Sequence, residues 1–228
     1  MAKKVAIFDI DGTIFRSSLL IELVQVLIDR KIFPAKAEQE YRREYTAWLN
    51  RAGDYPDYIH AIVKVFIKYV KGVSEREMAS ASLAVAHHHG NRVYRYTRDL
   101  VKKLKRQGYY LLAISHSPKM VLDEFGKNLP FDKIYGIRYE LDKKHKFTGK
   151  LLDEELILDK ASILARAVAK EGLTLKHSWG VGDTESDISF LEKVAHPICF
   201  NPNHNLYREA KKRGWQVVVE RKDVIYEL

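Results

Sequence analysis

Two pairs of aspartates have spacings that could do chemistry. Asp9 and Asp11 lie two residues apart in Val5-Ala6-Ile7-Phe8-Asp9-Ile10-Asp11-Gly12-Thr13. Asp183 and Asp187 lie four apart in Gly182-Asp183-Thr184-Glu185-Ser186-Asp187. The apolar run before Asp9 reads as a buried strand, too short for a helix. Carboxylates at the end of such a strand are costly to leave unpaired. A metal ion is the usual remedy, and hard oxygen ligands suit magnesium. Gly12 lets the chain turn sharply behind them. Asp183 and Asp187, one helical turn apart, can face the same side of a helix that starts after Val181. The plainer alternatives are an Asp-Gly turn at the first pair, and a helix cap with a solvated neighbour at the second.

Asp9-Ile10-Asp11-Gly12-Thr13 resembles the first motif of the haloacid dehalogenase-like hydrolase superfamily. Three later segments resemble the other motifs in the family's order. They are Ser115, which ends an apolar strand; Lys160, which leads Lys160-Ala161-Ser162-Ile163-Leu164; and the run from Gly182 to Asp187. The resemblance implies phosphoester hydrolysis. Asp9 would be the nucleophile, giving an aspartyl-phosphate. Asp11 would protonate the leaving oxygen and then deprotonate water. Ser115, Lys160 and Thr13 would hold the phosphoryl group or substrate. Mg2+ would be held by Asp9, the backbone carbonyl of Asp11, Asp183 and Asp187. The charges are sensible, because Asp9, Asp183 and Asp187 face magnesium plus Lys160. The second aspartate of the first motif marks the superfamily's phosphatases, not its carbon–halogen hydrolases. A lysine at a helix N-terminus works against the dipole, which gives Lys160 a functional reason to be there. Lys150 is the alternative for that position.

These residues need a scaffold. After Thr13 the chain reads as helical to about residue 90, with Leu19, Leu20, Leu23, Val24, Leu27 and Ile28 at helix spacing behind Ser17-Ser18 as a cap. Pro34 opens a second helix carrying Tyr41, Tyr45, Trp48 and Leu49. A third carries Ile59, Ile62, Val63, Phe66 and Ile67. Ser74 and Glu77 make a capping box for a fourth. From Asn91 onward, predicted strands and helices alternate, beginning with a basic helix from 91 to 107. Ser117 is expected to cap the helix after Ser115. A basic hairpin follows over 143–150, then a helix from about Leu158 to Glu171. This alternation specifies an α/β fold, a doubly wound, mostly parallel sheet with a Rossmann-like core. Residues 1–15 and 91–228 are the expected catalytic core, and 16–90 an inserted all-helical cap. Such an insert resembles the caps of the phosphoserine-phosphatase-like subfamily. Ligands bind these sheets beyond the strand carboxyl ends, where Asp9, Ser115 and Asp183 fall.

The likeness to phosphoserine phosphatase itself has gaps. That family places a substrate-binding glutamate nine residues past its nucleophile, where this chain has Ser18; Glu22 is one turn later. His116-Ser117-Pro118 replaces a glycine pair. Arg16, Arg43 and Arg51 are candidate cap contacts for an anionic substrate. The run His87-His88-His89 could suggest a metal site, but neighbours on a helix point in different directions, so packing is the better reading.

The chain has 228 residues, and 46% of them are hydrophobic, enough for a sizeable core. One cysteine excludes an intrachain disulfide. No run reaches the roughly 18 apolar residues that span a bilayer, and no secretory leader is seen, so a cytoplasmic protein is expected. The net charge of +9 is scattered and comes with no nucleic-acid fold signature. The expected partner is an anionic phosphorylated small molecule, not a membrane or a nucleic acid; the oligomeric state stays open. The leading reading is a magnesium-dependent phosphomonoesterase. A phosphotransferase with the same motifs, and an inactive basic nucleic-acid-binding module, are the alternatives.

Overall fold

A computed structural model describes residues 2–152 and 159–228. Its first strand, β1 (Lys3–Phe8), lies at the centre of an eight-stranded sheet of order β4-β3-β2-β1-β5-β6-β7-β8. The others are β2 (Tyr110–Pro118), β3 (Lys133–Leu141), β4 (Phe147–Leu152), β5 (Leu173–Gly182), β6 (His196–Phe200), β7 (Gln216–Arg221) and β8 (Val224–Glu227). Pairing is parallel from β3 across to β7 and antiparallel at both edges, β3 with β4 and β7 with β8. Val5 through Phe8 are fully buried and alternate between two cores. Ala6 and Phe8 join the apolar cluster on one face, Val5 and Ile7 that on the other. Burial on both faces is what an uninterrupted apolar strand requires.

The chain leaves β1 for β2 on one side, while β5 pairs on its other side. This is a topological switch point, where the strand ends open a crevice. Phe8 is level with Ala113 of β2 and Val181 of β5. The next residues of all three strands therefore emerge at one edge, carrying Asp9, Ser115 and Asp183.

Between β1 and β2 lie α1 (Leu19–Asp29), α2 (Lys36–Gln39), α3 (Arg42–Leu49), α4 (Tyr55–Val70), α5 (Glu75–His89) and α6 (Arg95–Arg106). The six apolar residues expected on α1 are all buried. The single helix expected after Pro34 is two, because the chain turns at Tyr41 to bury its ring against Tyr58, 6.2 Å away. The capping box of Ser74 and Glu77 forms as read. The helix expected from 91 starts only at Arg95, because the preceding residues pair with the outgoing linker. Arg16 N–H donates to Arg92 O at 2.8 Å, and Tyr94 N–H to Ile14 O at 3.0 Å. The helical insert thus enters and leaves through one short ribbon.

A second tie joins insert and sheet at the β3–β4 hairpin. Gly72 N–H donates to Phe147 O and Phe147 N–H to Val73 O, at 2.8 and 2.9 Å. Phe66 packs edge-on to Tyr139 at 5.3 Å. One apolar cluster runs from Phe8 through Leu23 to Phe66 and Met78, so the insert shares a core with one face of the sheet.

Beyond β2 come α7 (Lys119–Gly126), α8 (Lys160–Glu171), a 3-10 turn (Glu185–Asp187), α9 (Ile188–Leu191) and α10 (His204–Arg213). Pro118, not Ser117, occupies the cap position of α7. The expected start of a helix near Leu158 lies outside the described residues.

Candidate active site

Asp9 follows β1 directly and is 4% exposed. Its N–H donates to Val181 O at 2.9 Å, which fixes it to β5. Its Oδ1 accepts from Lys160 Nζ at 2.7 Å. Its Oδ2 is buried and has no hydrogen-bond partner among the described residues. A buried carboxylate oxygen without a partner carries a heavy desolvation cost. Burial first, then the charges of Asp187 and Asp11, push the Asp9 carboxyl up to about 8 in spite of Lys160.

Lys160 is the first residue of α8, and Asp159 caps that helix by accepting from the N–H groups of Ala161 and Ser162. An ammonium there opposes the helix dipole. It is held by two charge-assisted bonds, to Asp9 and to Asp187 Oδ1 at 2.5 Å. Burial alone would pull the Lys160 pKa down; the Asp187 and Asp9 carboxylates outweigh it and hold it above its ordinary value. Asp187 is fully buried, and its Oδ2 accepts from the N–H groups of Asp183 and Thr184 at 2.9 and 3.1 Å.

Asp183 ends the arc. Burial, then the charges of Asp9 and Asp187, raise its pKa well above the usual carboxylate range. Oxygens of Asp9, Asp183 and Asp187 lie within 4.8 Å of one another. Two glycines make this approach possible. Gly12 has φ +83°, and a Cβ there would sit 2.0 Å from Asp183 Oδ2. A Cβ on Gly182 would sit 2.5 Å from the Asp187 carboxyl. The lone oxygen of Asp9 and this close trio of carboxylates fit a hard divalent cation.

Asp11 stands apart from the trio. Its Oδ1 accepts from Leu19 N–H and its Oδ2 from Ser115 Oγ, both at 2.5 Å. Any part it has in holding metal therefore falls to its backbone carbonyl. Burial raises its pKa despite these donors. Asp11 also supplies the N-terminal cap of α1; Ser18 sits at the cap position but its side chain makes no capping bond.

The two hydroxyl residues expected at the phosphate are both bonded to carboxylates of the site. Ser115 is fully buried, donating to Asp11 and accepting from Ser117 N–H at 2.9 Å, so its hydroxyl positions Asp11. Thr13 is fully buried as well. It donates to Asp183 Oδ1 at 3.3 Å, and its carbonyl accepts from Thr97, so it holds the Asp183 carboxylate.

A cavity of about 340 Å³ opens above these groups. Its floor holds Asp9, Asp11, Lys160 and Asp183. Its insert side is Leu20 with Tyr55, Pro56, Ile59, His60 and Val63 of α4. Its far side is Thr184, Glu185, Ser186 and Asn203. Burial, then the charges of Asp11 and Asp183, raise the Tyr55 phenol above its ordinary pKa. Arg16, Arg43 and Arg51 do not line this cavity. Arg16 stacks on Tyr94 at 5.4 Å instead. Glu22, a candidate for a substrate amine, is taken by Arg92 and His89 at 3.0 and 3.3 Å. The α4 residues and Glu185 escaped the sequence reading, although Glu185 lies inside the fourth motif. Asn203 caps α10 through Leu206 N–H and also holds Glu185.

The family model for haloacid dehalogenase-like hydrolases matches residues 6–192. The chain belongs to that family. It is 26% identical to a histidinol-phosphatase of Neisseria meningitidis over 229 aligned positions, covering 95% of this chain and 98% of that protein. It is 22% identical to a phosphoserine phosphatase of Mycobacterium tuberculosis, covering 93% and 69%. Other curated relatives are longer, and the chain covers 44% to 46% of them. The fold matches a phospho-aspartyl intermediate analogue of phosphoserine phosphatase with TM-score 0.64, at 20% identity, over 98% of this chain and 96% of that one. This chain is a phosphatase-like hydrolase of the family. Among the described residues, no helix is long and apolar enough to cross a membrane.

Proposed function

We propose that the chain is a magnesium-dependent phosphomonoesterase that works through an aspartyl-phosphate on Asp9. The observation that carries this reading is the state of Asp9. One oxygen is pinned by Lys160, while the other is buried without a partner beneath a cavity of substrate size. Mg2+, held by Asp9, Asp183, Asp187 and the Asp11 carbonyl, would supply positive charge to the phosphoryl oxygens.

In this reading an Asp9 oxygen attacks phosphorus as the bond to the ester oxygen breaks. Asp11, its pKa raised by burial, gives its proton to the departing alkoxide. The resulting Asp11 carboxylate then takes a proton from water, which attacks phosphorus and releases phosphate from Asp9. Lys160 stays in place throughout and offsets charge on the phosphoryl group. The insert is a cap: α4 roofs the cavity and keeps bulk water from the acyl-phosphate.

Chelation should abolish release of phosphate from nitrophenyl phosphate, and magnesium should restore it. Asp9→Asn should trap no phosphoenzyme. Full turnover in excess chelator would sink the metal assignment, and a phosphoenzyme on the Asn variant would sink the nucleophile.

A further inference from the structure

The far wall of the cavity carries a charge that the catalytic cycle does not use. Glu185 is half-buried there, and its carboxylate accepts from Asn203 Nδ2 and, at 3.5 Å, from Asn205 Nδ2. Both partners are neutral. Among the described residues, no lysine or arginine forms an ion pair with it. Lys160 is the one lysine or arginine among the residues lining the cavity, and Asp9 and Asp187 already engage it. On the insert side Tyr55, Ile59 and Val63 give apolar surface, with His60 beside them. An ionised wall group without a lysine or arginine partner favours a positive ligand group and repels a second anion.

We infer that Glu185 selects the substrate, and that the substrate is a phosphate monoester whose leaving group carries a protonated nitrogen and no carboxylate. This rests on the phosphomonoesterase reading above. The phosphate takes the floor, where Lys160 and the metal offset its charge. The carbon skeleton lies along α4, and the ammonium or imidazolium reaches Glu185. The two asparagines aim the carboxylate without neutralising it. Histidinol phosphate has this make-up, an amine and an imidazole without an acid. Phosphoserine adds a carboxylate, and among the described residues lining the cavity Lys160, already engaged, is the one lysine or arginine.

The test uses the whole chain with magnesium and two matched ester pairs. Aminoethyl phosphate and propyl phosphate differ mainly in the ammonium; histidinol phosphate and phosphoserine differ in the carboxylate. In the wild type, kcat/KM should favour aminoethyl over propyl phosphate, and histidinol phosphate over phosphoserine, at least tenfold each. Glu185→Gln keeps an oxygen for Asn203 and removes the charge. It should shrink the aminoethyl-to-propyl ratio at least fivefold, mainly through KM. Equal rates within the first pair, a preference for phosphoserine, or a ratio unmoved by the substitution would each overturn the inference. If nitrophenyl phosphate is hydrolysed in those cases, the phosphomonoesterase reading survives. Failure to hydrolyse any ester would overturn both.

Discussion

Asp11 has two tasks at the level of single atoms. It caps α1 through Leu19 N–H and receives the Ser115 hydroxyl, yet burial still raises its pKa. A raised pKa is the direction that suits a proton donor to an alkoxide. Asp11→Asn keeps the shape and loses the exchangeable proton. Its rate on an alkyl phosphate should drop about 10²–10⁴-fold, the usual worth of a placed general acid. Nitrophenyl phosphate should suffer less, because nitrophenolate departs without a proton. Steady-state rates on the two esters check this, and equal losses would remove Asp11 from the first step. Asp9, Asp11, Lys160, Asp183 and Asp187 were legible because each stands beside a strand end or helix start that local pattern reveals. The actual partners of Thr13 and Ser115 were not. A hydroxyl beside a motif reads the same whether it meets substrate or, as here, a neighbouring carboxylate 170 or 104 residues away in sequence.

At the level of elements, α4 shows why the cavity wall stayed hidden. Ile59, Ile62, Val63 and Phe66 recur at one helical period and read as a single apolar face. Ile62 and Phe66 are indeed core, 0% and 1% exposed. Ile59 and Val63 are rotated slightly from them and line the cavity. Periodicity reports which residues avoid water, not whether a core or a ligand covers them. The arginines of the insert looked more functional because they are charged, but they lie off the cavity. Substitution should follow the geometry. Ile59→Ala and Tyr55→Ala should lower kcat/KM for the best metabolite ester at least about fivefold, or roughly 1 kcal/mol. Arg43→Ala and Arg51→Ala should change it less than about twofold. An alanine scan of the insert against one metabolite panel decides the matter, and a larger loss at the arginines would refute the α4 assignment. The ribbon at Phe15 and Val93 anchors the two ends of the insert, and the tie at Phe147 holds the chain just after α4.

Over the whole molecule, the mostly parallel α/β sheet was readable from the alternation of strands and helices, but the shared core was not. Sequence places the insert outside the α/β alternation, whereas the fold packs it on the sheet, so the two should unfold together and one Tm should report on the site. That makes the acidic trio visible to heat. Without metal, Asp9 has a folded pKa of about 8 against an unfolded value near 3.8, and Asp183 is raised too. Between those values the folded state binds more protons than the unfolded, so stability falls as pH rises. Lys160, whose pKa is also raised, stays charged on both sides of this window and adds no slope. Magnesium competes with the same protons. It binds more tightly as the carboxyls ionise, and it stabilises only the folded chain. The Tm of the metal-free protein should therefore drop from about pH 5 to about pH 8. The gain in Tm on adding magnesium should widen over the same interval. Asp9→Asn removes the largest titration that the site prints on this curve, so both the drop and the widening should shrink. Thermal scans at several pH values, with magnesium and with chelator, measure all of this. A magnesium gain that is flat with pH, or equal in the Asn variant, would show that the ion binds somewhere other than at Asp9.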